Sequence, residues 1–183
     1  MSKPTPLFNR LALIGVGLIG SSIARAARAV GAVETIVVTS RSEATRQRAG
    51  QIGFADEVLK TSAAAVDGAD LVIVCVPIGA CGPVAREISP HLMSGAIVSD
   101  VGSVKSAVQR EMAPYVPAGV HFIPGHPVAG TEHSGPDAGF AELFVNRWCI
   151  LTPPKDADPA AVERLSQLEV FRRQCRGHDG RTP

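Results

Sequence analysis

Leu11-Ala12-Leu13-Ile14-Gly15-Val16-Gly17-Leu18-Ile19-Gly20-Ser21-Ser22-Ile23-Ala24-Arg25-Ala26-Ala27 decides the fold. Four apolar residues read as a buried strand, the glycines as a tight turn, and the small residues beyond them as a helix lying close to that strand. Each glycine then has its own task. Gly15 permits the turn, Gly17 lets the backbone approach a pyrophosphate, and Gly20 lets the helix pack on the strand. Leu18 and Ile19 open the helix, whose free N–H groups face the phosphates.

Strand and helix signals alternate on the C-terminal side of this unit. Thr35–Thr39 is β-branched and reads as a second strand, and Glu43–Gln51 suits a helix. Leu71–Val76 is a continuous apolar run, hence a strand buried on both faces, ended by Pro77. A helix over Ala80–Ile88, a strand over Ala96–Ser99 and a helix over Val104–Met112 follow, and His121–Pro124 suits a further strand. Trp148–Thr152 begins one more strand, and Pro159–Arg172 reads as a helix capped by Asp158. The expected fold class is α/β: a doubly wound, mostly parallel sheet forming a Rossmann dinucleotide-binding domain. That domain takes residues 1–166, and residues 167–183 form a divergent C-terminal tail.

Composition agrees with this class. The chain has 183 residues, 45% hydrophobic, with a net charge of +1 and only 4% aromatic residues, so its core is aliphatic. Nothing in that balance suggests a nucleic acid or an acidic membrane surface as partner. No segment reaches the length of a membrane span, and Met1–Arg10 is too short and polar for a signal peptide. Cys75, Cys81, Cys149 and Cys175 have neither metal nor disulfide spacing, so reduced thiols in a cytoplasmic protein are the simplest expectation.

The end of the second strand selects the cofactor. An NAD-preferring unit carries an acid there, to hold the ribose 2′-hydroxyl. Here the sequence is Val38-Thr39-Ser40-Arg41-Ser42, with no acid before Glu43. Ser40, Arg41 and Ser42 supply a guanidinium and two hydroxyls, a set suited to a 2′-phosphate. NADP is therefore favoured, with NAD as the alternative. The plainer reading is a solvated arginine beside Ser42 as helix N-cap.

Three strand ends carry further motifs, and strand ends face the ligand crevice in this fold. Cys75-Val76-Pro77-Ile78 offers apolar support beside the nicotinamide ribose, with Val76 and Pro77 nearest it. The second motif is Asp100-Val101-Gly102-Ser103-Val104-Lys105. The third is Gly125-His126-Pro127-Val128-Ala129-Gly130-Thr131-Glu132-His133-Ser134-Gly135, within a glycine-rich stretch running to Phe140 that reads as a long functional loop.

With the glycine turn, these motifs resemble the prephenate/arogenate dehydrogenase family of tyrosine biosynthesis, over roughly Leu11 to Ser166. The resemblance implies an oxidoreductase in which NAD(P) oxidises a cyclohexadienol while the ring carboxylate leaves as CO2. It puts the family's catalytic histidine on His126, its serine on Ser103, and an acid at the substrate entrance on Glu132. The residue types suit that chemistry. A neutral imidazole can take the hydroxyl proton near pH 7, and Ser103 can hydrogen-bond the same hydroxyl and orient the nicotinamide. Plainer roles stand beside these: Ser103 as a helix cap, and Asp100 with Lys105 as a structural pair. His121, His126 and His133 match no zinc spacing, and the reaction needs no metal, so no metal site is expected.

Family members continue into a helical domain that forms the homodimer and supplies cations for the substrate carboxylates. The sequence departs from the family pattern after Ser166, and Arg172–Pro183 reads as a polar, basic tail. The resemblance therefore implies that the dimer interface is missing and that turnover is impaired. Two alternatives remain: an NADP-binding fragment without catalysis, and a hydroxyacid- or imine-type NADP reductase. The His-Pro-Val-Ala-Gly-Thr-Glu loop argues against the second.

Overall fold

A computed structural model describes residues 5–168. Strand β1 (Phe8–Ile14) runs into the glycine turn and then helix α1 (Leu18–Ala29), as the opening sequence requires. Strand β2 (Val33–Thr39), helix α2 (Glu43–Ile52), strand β3 (Glu57–Leu59) and helix α3 (Ser62–Val66) complete the first half. The second half contains β4 (Leu71–Val74), α4 (Ile78–Ile88), β5 (Ile97–Asp100), α5 (Lys105–Met112) and β6 (His121–Phe122). Strands β7 (Gly125–Pro127) and β8 (Cys149–Leu151), then helix α6 (Pro159–Ser166), follow.

Six strands form one sheet in the order β3-β2-β1-β4-β5-β6, every pairing parallel. The order reverses between β1 and β4, which opens a crevice at their carboxyl ends. Side chains alternate along each strand, so both faces are buried. Leu11 and Leu13 join Ile23, Ile36, Ile73 and Leu165 on one face, and Ala12 and Ile14 join Val72, Ile88, Val108 and Met112 on the other. No helix among the described residues is long and apolar enough to cross a membrane.

Several elements differ from the sequence reading. The strand expected over Leu71–Val76 ends at Val74, because its neighbour β1 ends at the paired Ile14 and turns away at Gly15. The expected strand His121–Pro124 keeps two residues, although the Ile123 N–H still donates to the Val98 carbonyl at 2.9 Å. Strand β3 and helix α3 are additions, each too short to give a periodic signal. The stretch expected as loop from Gly125 starts as β7, antiparallel to β8, with His126 opposite Ile150. Asp158 does cap α6, its carboxylate accepting the Ala160 N–H at 2.8 Å. That helix ends at Ser166, and residues 169–183 of the expected tail lie outside the described residues.

Candidate functional site

The glycine turn separates what packing demands from what only a ligand would demand. Gly15 has φ +96°, and a Cβ there would strike the Cys75 carbonyl oxygen. A Cβ on Gly20 would strike the Gly15 carbonyl oxygen. Both glycines are therefore fixed by the meeting of β1, α1 and the end of β4. Gly17 is different. Its φ of −74° is open to any residue, it is exposed, and a Cβ would meet nothing within 4 Å. Neither conformation nor packing calls for glycine at Gly17, whereas close approach of a phosphate does. Leu18 and Ile19 are half-buried against the core and carry the first-turn N–H groups of α1. No acid lies in that turn, so the positive end of the helix is uncompensated from within.

The second candidate group lies at the end of β2. Ser40 is half-buried, Arg41 and Ser42 are exposed, and the Ser42 hydroxyl accepts the Thr45 N–H at 3.3 Å as N-cap of α2. Ser42 thus fulfils the plainer capping role read from sequence. Glu43, the nearest acid, accepts from the Gln47 side chain at 3.3 Å within α2. Val76 is half-buried and Pro77 exposed in the bend between β4 and α4, beside the glycine turn.

A buried polar knot joins the Ser103 and His126 segments. Asp100 ends β5 with 0% exposure. Its carboxylate accepts from the Lys105 ammonium and from the Gly102 N–H at 2.7 Å, and its other oxygen accepts the Gly125 N–H at 3.2 Å. Lys105 also donates to the Gly125 carbonyl at 2.5 Å. Burial pushes the Asp100 carboxyl up and the Lys105 ammonium down, and their mutual attraction and shared hydrogen bonds resist both shifts. The pair is the structural one anticipated from sequence, and it fastens the first residue of β7 to the last residue of β5. Ser103 stands exposed in the bend before α5, but it does not cap that helix, whose N-cap is Val104 without a side-chain bond. His126 is half-buried at the centre of β7. Glu132 lies on the exposed rim, 3.5 Å from His133.

Asp100→Asn removes the charge that faces Lys105 and leaves its buried partners imperfectly paired. A loss of about 1–3 kcal/mol in stability is expected, read from the denaturant midpoint. An unchanged midpoint would show that β7 holds its place without the knot.

The far part of the loop was missed by sequence reading. The Ser22 hydroxyl accepts the Phe140 N–H at 3.1 Å, and the Arg25 guanidinium donates to the Pro136 carbonyl at 3.3 Å while stacking on Phe54. Arg48 grips Asp137 and holds its carboxyl below the usual carboxylate range. A Cβ on Gly139 would collide with the Ser21 hydroxyl. The loop is thus seated on α1 and α2. At Pro136 and Phe140 the loop contributes backbone atoms, which leave no mark in a sequence.

Cys75 and Cys81 offer no nucleophile. Burial pushes the Cys75 thiol strongly up and the Cys81 thiol up to about 11, so neither ionises near neutrality. Among the described residues no group of three or more His, Cys, Asp or Glu side chains is placed to hold a metal.

Residues 23–173 match the family described as prephenate dehydrogenase, nucleotide-binding domain. The chain is 43% identical over 160 residues to a cyclohexadienyl dehydrogenase of Zymomonas mobilis, covering 87% of this chain and 54% of that protein. Its fold is similar to the crystal structure of Synechocystis arogenate dehydrogenase, with TM-score 0.80 and 32% identity over 88% of this chain and 57% of that one. It is also similar to prephenate dehydrogenase from A. aeolicus in complex with hydroxyphenyl propionate and NAD+, with TM-score 0.80 and 27% identity over 88% and 57% of the two chains. The chain spans about half the length of the curated relatives it matches.

Proposed function

This chain belongs to the prephenate dehydrogenase family, through its nucleotide-binding domain, and from that premise we propose that it binds NADP and takes part in the oxidative decarboxylation of prephenate or arogenate. The observation that carries the reading is the Asp100–Lys105–Gly125 knot. It brings the Ser103 bend and the His126 strand to the end of the sheet that also bears the glycine turn.

In this reading the pyrophosphate rests on Gly17 and on the first-turn N–H groups of Leu18 and Ile19, in the cofactor-binding turn that Gly15 and Gly20 shape. Val76 and Pro77 bound the nicotinamide ribose. The cofactor supplies a hydride acceptor. His126 takes the proton of the ring hydroxyl as hydride leaves the same carbon, and Ser103 hydrogen-bonds that hydroxyl and keeps it in line. The electron pair of the breaking carbon–carboxylate bond flows into the ring, CO2 departs, and the ring becomes aromatic. Glu132, on the exposed rim, acts at the substrate entrance. The substrate carries two carboxylates, and the cations that hold them come from sequence beyond the described residues. Turnover by residues 1–183 alone is accordingly weak.

Preference for NADP over NAD rests on Ser40, Arg41 and Ser42. Arg41 is exposed and carries no side-chain partner among the described residues, and the nearest acid, Glu43, is engaged by Gln47. A 2′-phosphate would receive charged hydrogen bonds there. Arg41→Ala is expected to weaken NADP binding by roughly one to two decades and to leave NAD within about two-fold. Calorimetric titration with each cofactor checks this, and equal losses for both would refute it. The reaction is tested by assaying both substrates on this chain and on a version completed with the C-terminal half of the Zymomonas relative. No oxidation by the completed protein would refute the proposal.

A further inference from the structure

Arg46 carries a function that the sequence does not announce. It lies in the first turn of α2, where a cation is disfavoured by the positive end of the helix dipole. A solvated glutamate would serve a plain helix better. The guanidinium is instead folded back over the N-terminus. It donates to the Ser40 carbonyl at 2.5 Å and to the Arg41 carbonyl at 3.0 Å. These are the two residues at which the chain leaves β2, beyond the last strand pairing at Thr39. On the helix side, the Arg46 N–H bonds the Ser42 carbonyl at 3.1 Å. One residue therefore binds three successive carbonyls, those of Ser40, Arg41 and Ser42.

We infer that Arg46 is a positioning residue for cofactor selectivity. It fixes the Ser40–Ser42 backbone so that the Arg41 side chain and the two hydroxyls converge on a 2′-phosphate. This rests on the reading above that Arg41 receives that phosphate. The chemistry favours arginine. Both bonds leave one guanidinium nitrogen, Nη1, whose two N–H groups are held in the guanidinium plane, and a freely rotating lysine ammonium would hold the same two carbonyls less directionally. Without these bonds, the turn samples other conformations, and each productive contact carries the cost of reordering it. NAD, which lacks the phosphate, has little at stake in this turn.

The test is titration of the 183-residue chain and its variants with NADP and with NAD, with thermal melting as a check on folding. Arg46→Met is expected to weaken NADP about five- to ten-fold and NAD less than two-fold, with Arg46→Lys between the parent and the methionine variant. Arg41→Ala with Arg46→Met should lose clearly less NADP affinity than the sum of the two single losses, because Arg46 acts largely through Arg41. Three outcomes would overturn the inference while leaving the NADP reading intact. They are unchanged selectivity in Arg46→Met, equal losses for both cofactors, and additive losses in the double variant. The last would mean that Arg46 meets the phosphate directly. Failure of Arg41→Ala to alter selectivity would instead sink the NADP reading, and this inference with it.

Discussion

Replacing His126 by asparagine is expected to lower turnover of prephenate or arogenate by ~10²–10⁴-fold, with cofactor affinity held within about three-fold. The comparison is made on this chain completed with the C-terminal half of the Zymomonas relative, by steady-state rates and by titration. The size follows from the role. Asparagine keeps a polar side chain of similar reach but has no basic lone pair for the hydroxyl proton, so only the proton-transfer contribution is lost. His126 lies on the β7–β8 ribbon and is no part of the glycine turn, so the pyrophosphate contacts proposed for that turn keep their residues. A variant that keeps its rate would leave His126 as a residue of the ribbon and nothing more. A variant that loses cofactor as well would point to a distorted crevice rather than a missing base.

The second large effect is expected at Gly17. Gly17→Val should fold and melt like the parent, yet weaken NADP and NAD alike by ~10³-fold or more, because its methyl groups occupy the space through which a pyrophosphate reaches the backbone. The structure makes this a clean test. Gly17 precedes α1 in an extended conformation that valine readily adopts, it makes no side-chain cap to lose, and its Cβ would meet no protein atom. The same substitution at Gly15 or Gly20 would be uninformative, since either would drive a side chain into backbone. Undiminished titration by the Gly17 variant would reduce the glycine turn to a connection between β1 and α1.

The sequence was most legible where local chemistry and global packing agree. The run from Leu11 through Ala27 gives strand, turn and helix, and the β-branched run at Thr35–Thr39 gives the next strand. Legibility failed for β3, where Glu57-Val58-Leu59 pairs on one side only and shows no buried alternation. It failed also for Gly125-His126-Pro127, since a strand of glycine and proline contradicts propensity and exists because the Asp100 knot and β8 hold it. Of the candidate residues, Ser103 and Arg41 lie just after the strands β5 and β2, as the sequence suggested, whereas His126 lies within a strand of its own, β7. The ties of Arg25, Arg46 and Arg48 could not be read, because an arginine bonded to a near or distant carbonyl or to a far carboxylate has the same local pattern as a solvated one.

One contact at the opposite end of the sheet has a consequence for connectivity. Arg164 of α6 donates to the Leu7 carbonyl at 2.8 Å and to Asp70, and it stacks on Phe8. Residues 157 positions apart in the chain are therefore neighbours, at the amino end of β1 and far from the crevice. The described polypeptide is nearly a ring, clasped by one guanidinium. Such a ring can be sealed by a short linker and cut elsewhere with its packing intact. The exposed turn at Asp67–Gly68, between α3 and β4, is a natural place for the cut. The chemistry proposed for the other end of the sheet depends on which strands lie side by side, and a permuted chain would carry it in a different linear order.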